Sequence, residues 1–535
     1  MSEQSCTLEA DKLCLDDMWI TAISWLSECI TQHTACIQES VEPGSFLPER
    51  LIAVGEGDDL SGIRLCHKSE LLPSSAYFTL SHCWGPQGID FKLLQSSLAL
   101  FFCEIPWNEI PKTFQQAIIA TRILGKGFGV CYLWIDALCI IQDSREDWRQ
   151  EAARMADIYE NAVLSLAACV GGDSQSGLLP ERDLFSLHTC QVQPSQQSSL
   201  KGPLKVRAWK DAGYSCVDSE LQSRAWVLQE LLLARRVLYF TPHHLVWECP
   251  SVCANEMEPN VPINHHFGIK KRFVRYSPVL KDDFGNPLEP IYDHYRSWST
   301  LVRRYTSCKL TKPFDKMIAI AGLARRMHAS LGERVNYVAG LWDEFFFLQL
   351  LWDLQSGGPV SEYRAPSWSW ASTDGTVYNH RTNDEGIALS QPLVTTEIHI
   401  EHELNDPFGE IKAAELTITG PLLKCNLFNA PNRSEMPRAN FLVDGKPLDS
   451  WPADLVSWPV QGQKAYLSFL CLENNAENIH ILGLVLERVQ NKQSHYRRLG
   501  RFVIKGETRE CAMQLAKSHC LLEDECERAF VNGDY

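Results

Sequence analysis

The chain has 535 residues, 45% of them apolar, and a formal net charge of −16. That is enough to bury a large core, and the length suggests roughly three domains. An acidic chain without any Lys/Arg-rich run is a poor match for nucleic acid or an anionic membrane surface, so neither is expected as a partner.

The first segment, MSEQSCTLEADKLCLDD, is acidic and lacks the apolar core of a secretory leader. An amphipathic helix is expected over 16–38, with Trp19, Ile23, Leu26, Ile30 and Cys36 at helical spacing. EPGSFLPER ends it, and a strand follows in LPERLIAV. Tyr77 to Gly85, YFTLSHCWG, reads as a strand running into a turn at Gly85-Pro86. PKTFQQAIIATRILGKG is a helix, with Pro111 near its start and Gly125 as its cap. VCYLWI, Val130 to Ile135, is continuously apolar, as in a strand buried on both faces, and it stops at Asp136.

SREDWRQEAARMADIYENA opens with Ser144 and Asp147 in a capping-box pattern. It places Trp148, Ala152, Met155 and Tyr159 on one face. VLSLAACV is another buried strand. The Gln/Ser-rich stretch near 191–199 reads as a surface loop, and a helix is expected from about Ser219 to Arg235, before the strand RVLYF. Alternation of strand and helix predicts an α/β domain with a mainly parallel sheet. Residues 290–355 read as mostly helical, in YRSWSTLVRRYTSC, DKMIAIAGLARRMHASLG and LWDEFFFLQLLWDL. Beyond about 375, segments such as ELTITGPL, KAYLSFLCL and IHILGLVLERV form a β-rich region. The expected division is 1–45, 46–240, 241–375 and 376–535.

Twenty cysteines would suit a disulfide framework only in an oxidising compartment. Without a leader, and with no run near the roughly 18 apolar residues of a membrane span, a cytoplasmic chain with reduced, buried thiols is expected. HHLVWECPSVC, His243 to Cys253, has metal-binding residue types, but no second ligand pair follows at zinc-finger distance. It is read as a strand and turn with buried sulfurs, and no metal is expected. No GxxxxGK[ST] phosphate loop occurs.

Three blocks carry more than fold. YFTLSHCWG, LWIDALCIIQDSREDWRQEAARMADIYENAVLSLAA and SRAWVLQELLLARRVLYF, in that order, together resemble the heterokaryon incompatibility (HET) domain of filamentous fungi. WLSECITQHTAC, YVAGLW, RAPSWSWAS, GLVLERV and RRLGRFVI extend the likeness over most of 20–505. Ile141, where the family often has Asn, and Val227, where Thr is common, depart from it without changing an ionisable group. The resemblance implies non-self recognition and programmed cell death, with self-association and an incompatibility partner protein.

The family is in turn similar to Toll/interleukin-receptor (TIR) domains. TLSHCWG looks like a TIR strand end, and SRAWVLQEL looks like the TIR motif of serine, tryptophan, glutamate and leucine. The fold implied is a TIR-like, mainly parallel sheet flanked by helices, followed by a helical segment and the C-terminal β-rich region.

Many TIR domains cleave NAD, so the resemblance implies NAD as a substrate, with no bound cofactor, and Glu230 as the catalytic residue. Ser81, His82, Trp84, Gly85, Asp136, Arg224 and Trp226 are then the candidate substrate-binding residues. Cleavage of the nicotinamide–ribose bond develops oxocarbenium character that a carboxylate stabilises. Trp84 or Trp226 could stack on a ring, and Arg224 could hold a phosphate.

Each residue also has a structural reading. Glu230 could make an ion pair or cap; Asp136 could cap its turn; His82 could be a hydrogen-bonded strand end. Trp84, Trp134 and Trp226 could be core, and Arg224 could form a buried salt bridge to Asp136 or Glu230. A Cys83–His82 nucleophile pair is disfavoured, because neighbours on a strand point to opposite faces. The same motifs without chemistry would make a signalling module.

Overall fold

The computed structural model describes residues 3–532 except 39–45, 56, 58–61, 180–189, 193–203, 207–218, 257–289, 332–334, 380–390, 430–436, 444, 449, 451, 458, 476–477, 491, 493 and 507–527. The chain divides into two units, Met1–Arg275 and Tyr276–Tyr535.

The first unit opens with α1 (Glu3–Gln32) and, after a break at His33, α2 (Thr34–Gln38). The helix thus starts well before residue 16. Trp19 and Trp25 anchor it, packing on Phe240 and Trp247 with ring centroids 6.3 and 6.4 Å apart. The strands that follow are β1 (Arg50–Ala53), β2 (Arg64–His67), β3 (Ala76–Ser81), β4 (Val130–Trp134) and β5 (Leu164–Ala168). The short pair β6 (Cys190–Val192) and β7 (Leu204–Val206) stands apart from them, and β8 (Val237–Phe240), β9 (Leu245–Glu248) and β10 (Cys253–Asn255) complete the set. The helices among them are α3 (Leu98–Cys103), α4 (Lys112–Gly125), α5 (Asp136–Cys139), α6 (Arg145–Asn161) and α7 (Ala225–Leu233).

The sheet order is β10-β9-β8-β5-β3-β4-β1-β2. The central four, β8, β5, β3 and β4, are parallel, and the flanking strands are antiparallel. The buried central strands are Leu/Val-rich, as a sheet covered on both faces requires.

From β3 the chain steps one way to β4, then back past β3 to β5 and on to β8. Right-handed crossovers put α4 on one face and α6 and α7 on the other. Side chains agree: the Tyr77 hydroxyl donates to the Ile158 carbonyl of α6 at 2.7 Å, while the His82 ring packs edge-on against Phe114 of α4. The reversal lies between β3 and β5, the switch point where open α/β sheets form a crevice at the carboxyl ends of their strands.

Local details differ from the sequence pattern. The helix expected from Ser219 is a 3-10 turn, Glu220–Ser223, then α7, with Arg224 extended between them at φ −89° and ψ 130°. After Gly125 the chain goes on as a 3-10 turn, Lys126–Phe128, and Gly129 at φ 68° makes the reversal. Gly125 serves instead for close approach, since a Cβ there would lie 2.4 Å from the Val130 carbonyl oxygen. Cys131 of β4 is exposed and Tyr132 half-buried, and the pairing of β4 with β3 skips Cys131. Of the loop at 191–199, residues 193–199 lie outside the described residues.

In the second unit, Pro290–Thr306 and Ile318–Leu331 are helices. LWDEFFFLQLLWDL is mostly not: Leu341–Trp342 is a strand, Phe346–Gln349 a single turn and Asp353–Leu354 a strand. Phe345 takes φ 51°, and the Gln349 amide ties the Trp342 backbone at 3.0 and 2.8 Å. The run is mostly apolar without a helical period and packs largely as buried loop. Trp298 and Trp370 both donate to the Gly340 carbonyl, at 2.9 and 2.8 Å, locking YVAGLW to PSWSW.

Beyond residue 390 a closed six-stranded barrel forms. Its strands, in order, are Leu422–Asn429, Arg438–Val443, Ala453–Leu455, His495–Gly506, Asn478–Arg488 and Lys464–Asn475, and the last pairs with the first. Leu427, Phe441, Phe469, Ile481 and Phe502 fill it, so its interior is core rather than channel. Arg528–Asn532, Ile411–Thr419 and Thr395–His402 extend the sheet beyond it.

Candidate functional site

Strand β3 delivers Ser81 and His82 to the carboxyl edge of the sheet, and the chain turns away at once. Gly85 makes the turn at φ 83°, where a Cβ would come within 3.0 Å of the Asp173 Cβ. The turn carries Trp84 over Asp136, which lies two residues past the end of β4 and starts α5. Trp84 Nε1 donates to Asp136 Oδ2 at 2.9 Å, and the Ala137 amide donates to Oδ1 at 2.7 Å. His82 Nδ1 stands 3.6 Å from the same Oδ1. Asp136 therefore bonds a backbone amide at the start of α5 and links the ends of β3 and β4.

Helices α6 and α7 both start at this edge and run side by side. Near their starts Trp148 and Trp226 meet edge to face, 6.3 Å between centroids. Further along, the Tyr159 hydroxyl donates to Glu230 Oε2 at 2.9 Å and lies 3.3 Å from the Leu80 carbonyl oxygen. Trp226 and Glu230, four residues apart, thus share the α7 face that meets α6. Arg224, just before α7, donates through its guanidinium to the His82 carbonyl. Among the described residues it forms no ion pair with Asp136 or Glu230.

Glu230 is 5% exposed. Burial pushes its carboxyl up to about 7, with Asp136 adding to the rise; the Arg224 charge and the Ser81 and Tyr159 hydroxyls oppose it. Burial holds His82 down at about 4, so its ring is neutral. Burial also raises the Cys83 thiol to about 11 and the Cys139 thiol to about 12, which leaves neither as a thiolate nucleophile at neutral pH.

On the face beneath α6 and α7 the register brings Thr79 beside Trp134 and Ser165, with Ser81 two residues further on. Thr79 Oγ1, Ser81 Oγ, Ser165 Oγ, Trp134 Nε1 and His82 Nε2 reach no partner at hydrogen-bonding geometry. Buried polar atoms usually find one, so this concentration marks the switch point as unusual.

Ser81, His82, Trp84, Asp136, Arg224 and Glu230 thus gather at one edge. Gly85 shapes the turn, and Trp226 is drawn to Trp148. Tyr159 is the member missed from sequence: it lies on the apolar stripe of α6, and nothing local marks its hydroxyl as the partner of a carboxyl. Chemically, the edge can hold a proton on a buried carboxyl and offers a half-buried indole at Trp84. Among the described residues, the one grouping with metal-ligand spacing, Cys29, His33, Cys36 and Cys249, lies elsewhere in this unit.

Neither a curated protein nor a solved structure matches the chain. Residues 77–230 match the family model described as Heterokaryon incompatibility protein (HET), a span that starts in β3 and ends on Glu230. Residues 77–230 thus carry a heterokaryon incompatibility (HET) domain match.

Proposed function

We propose that this chain acts in heterokaryon incompatibility as a signalling module of non-self recognition and cell death, and that the Glu230 cluster is structural. The family match supports the pathway. One observation carries the structural role: Glu230 is buried and receives the Tyr159 hydroxyl, so the carboxyl is already engaged within the fold. A carboxylate that stabilises an oxocarbenium ion has to reach the anomeric carbon. Here α6 and the end of β3 occupy the space before it. In this reading the chain works in the cytoplasm through self-association and an incompatibility partner; no helix among the described residues is long and apolar enough to cross a membrane.

A second reading keeps NAD cleavage. It is favoured by the position of Glu230 at the switch point, beside Ser81, at the edge that also carries the half-buried Trp84. In that reading an activating contact parts α7 from β3, and Glu230 and the indole then engage the nicotinamide ribose.

Wild type and Glu230→Gln, expressed at matched levels in a fungal host, separate the two. The structural role predicts equal cell killing and an unchanged NAD pool. NAD loss with wild type, abolished in a folded Glu230→Gln protein, would overturn it in favour of chemistry.

A further inference from the structure

The N-terminal segment WLSECITQHTAC brings sulfur and imidazole side chains to a break between two helices. Cys29 sits in the last turn of α1, His33 in the break between α1 and α2, and Cys36 on α2. Cys249 follows β9, in the turn to β10. One ligand atom from each lies within 4.8 Å of all the others. From the geometry we infer that these four residues form a structural zinc site of three thiolates and one imidazole.

Several independent features fit. His33 Nδ1 is 3.4 Å from Cys249 Sγ. A tetrahedral ion with Zn–S of about 2.3 Å and Zn–N of about 2.0 Å imposes a separation of about 3.5 Å on such a pair. The C-x3-H-x2-C spacing wraps three ligands around a helix break, and the hairpin supplies the fourth. That closes the shell with protein atoms, as in structural rather than catalytic sites.

The surroundings suit thiolates. Arg236 Nε donates to Cys29 Sγ at 3.1 Å, and the Val252 amide donates to Cys249 Sγ at 3.3 Å. Ser251 Oγ lies 3.5 Å from Cys36 Sγ. Each sulfur thus has a donor group beside it, the outer shell that orients and tunes thiolate ligands.

Charge points the same way. Arg236 is 7% exposed and, among the described residues, forms no ion pair with a carboxylate. Three neutral thiols would leave a buried, uncompensated cation beside them. Zinc with three thiolates and a neutral imidazole carries one net negative charge, which Arg236 balances. Soft sulfur with imidazole in a tetrahedral shell selects zinc over hard oxygen-seeking cations. Binding replaces the three thiol protons, which leave to solvent, by the ion, with no change of oxidation state.

The site ties the N-terminal helices to the β9–β10 hairpin. The Cys249–Cys253 spacing alone gives no hint of this, because its partners lie more than 200 residues earlier, not downstream.

The test is metal content and cobalt spectroscopy on the full-length chain. Purified under reducing conditions, the chain should hold roughly one zinc, bound by all four residues. Cys249→Ser and His33→Ala should each lose it, while Cys253→Ser, whose buried sulfur is outside the cluster, should keep it. Cobalt(II) loaded into the wild-type chain should give tetrahedral ligand-field bands with thiolate charge transfer. That readout stands even if the variants do not fold. A strong zinc chelator should lower the thermal midpoint of wild type. A zinc-free chain indifferent to chelator, cobalt without thiolate bands, or a disulfide among Cys29, Cys36 and Cys249 in reduced preparations would overturn the site.

Discussion

The Tyr159 hydroxyl donates to Glu230 Oε2 at 2.9 Å, joining two helices that start at the same edge of the parallel sheet. With the Trp148–Trp226 contact it fixes α6 and α7 to each other at two points. Removing the hydroxyl in Tyr159→Phe leaves a buried carboxyl short of a donor, which should cost about 1–3 kcal/mol. Glu230→Gln retains an acceptor and needs no charge. A double-mutant cycle by urea unfolding should give a coupling of roughly 1–2 kcal/mol between the two positions; additivity would mean the hydroxyl and carboxyl act independently.

The same carboxyl should make stability depend on pH, with a sign opposite to that of His82. Glu230 holds its proton up to about 7 in the fold against an ordinary 4.5, so folding takes up a proton between those values. That contribution is complete below pH 4.5 and lost as pH rises through 7, by about 3 kcal/mol. His82 sits near 4 in the fold against 6.5, so its contribution is complete above pH 6.5 and lost as pH falls through 4. The two slopes offset each other in wild type between about 4.5 and 6.5. Glu230→Gln should expose stability rising with pH, and His82→Gln stability falling with pH. Unfolding midpoints measured across pH 4–8 decide this; identical profiles for all three proteins would refute it.

Much of this edge could be read in the sequence, and what could not has a physical reason. Strand ends at Ser81 and Asp136 follow from apolar runs that stop at polar residues, and parallel strands in one sheet bring such ends to one edge. The shared face of Trp226 and Glu230 follows from helical period alone. The loop nature of LWDEFFFLQLLWDL does not, because a run this rich in apolar residues has no clear period to distinguish helix from packed loop. Tyr159 and the Cys29–His33–Cys36–Cys249 cluster were hidden for a different reason. Their meaning depends on pairings across long stretches of chain that spacing cannot reveal.

Trp84 offers a narrower test of the Asp136 link. Trp84→Phe keeps an aromatic ring in the turn but removes the donor to Asp136 Oδ2, leaving the Ala137 amide and the nearby His82. Stability should fall by about 1–2 kcal/mol. The freed carboxylate charge should also favour the protonated imidazole, so the His82 pKa should rise in the variant. An NMR titration of the His82 ring protons reads this directly. An unmoved pKa would show that the indole does not control the charge His82 experiences.

The second unit has its own point of little tolerance, at Gly340. Its φ of 93° is one that side-chain-bearing residues rarely adopt, and a Cβ would stand 2.8 Å from Trp370 Nε1. The indole cannot easily retreat, because its N–H donates to the Gly340 carbonyl and the ring is fully buried. Trp298 donates to the same oxygen, so a shift of this backbone disturbs two indoles at once. Gly340→Ala combines backbone strain with overpacking and should cost about 3 kcal/mol or more. Trp370→Phe introduced into that background removes the atoms nearest the new methyl. It should recover part of the loss despite the missing hydrogen bond, whereas in the wild-type background it should only destabilise. Hydrogen exchange should localise the Gly340→Ala effect to the second unit. If Gly340→Ala melts like wild type, the contact between this glycine and Trp370 is not what holds YVAGLW against PSWSW.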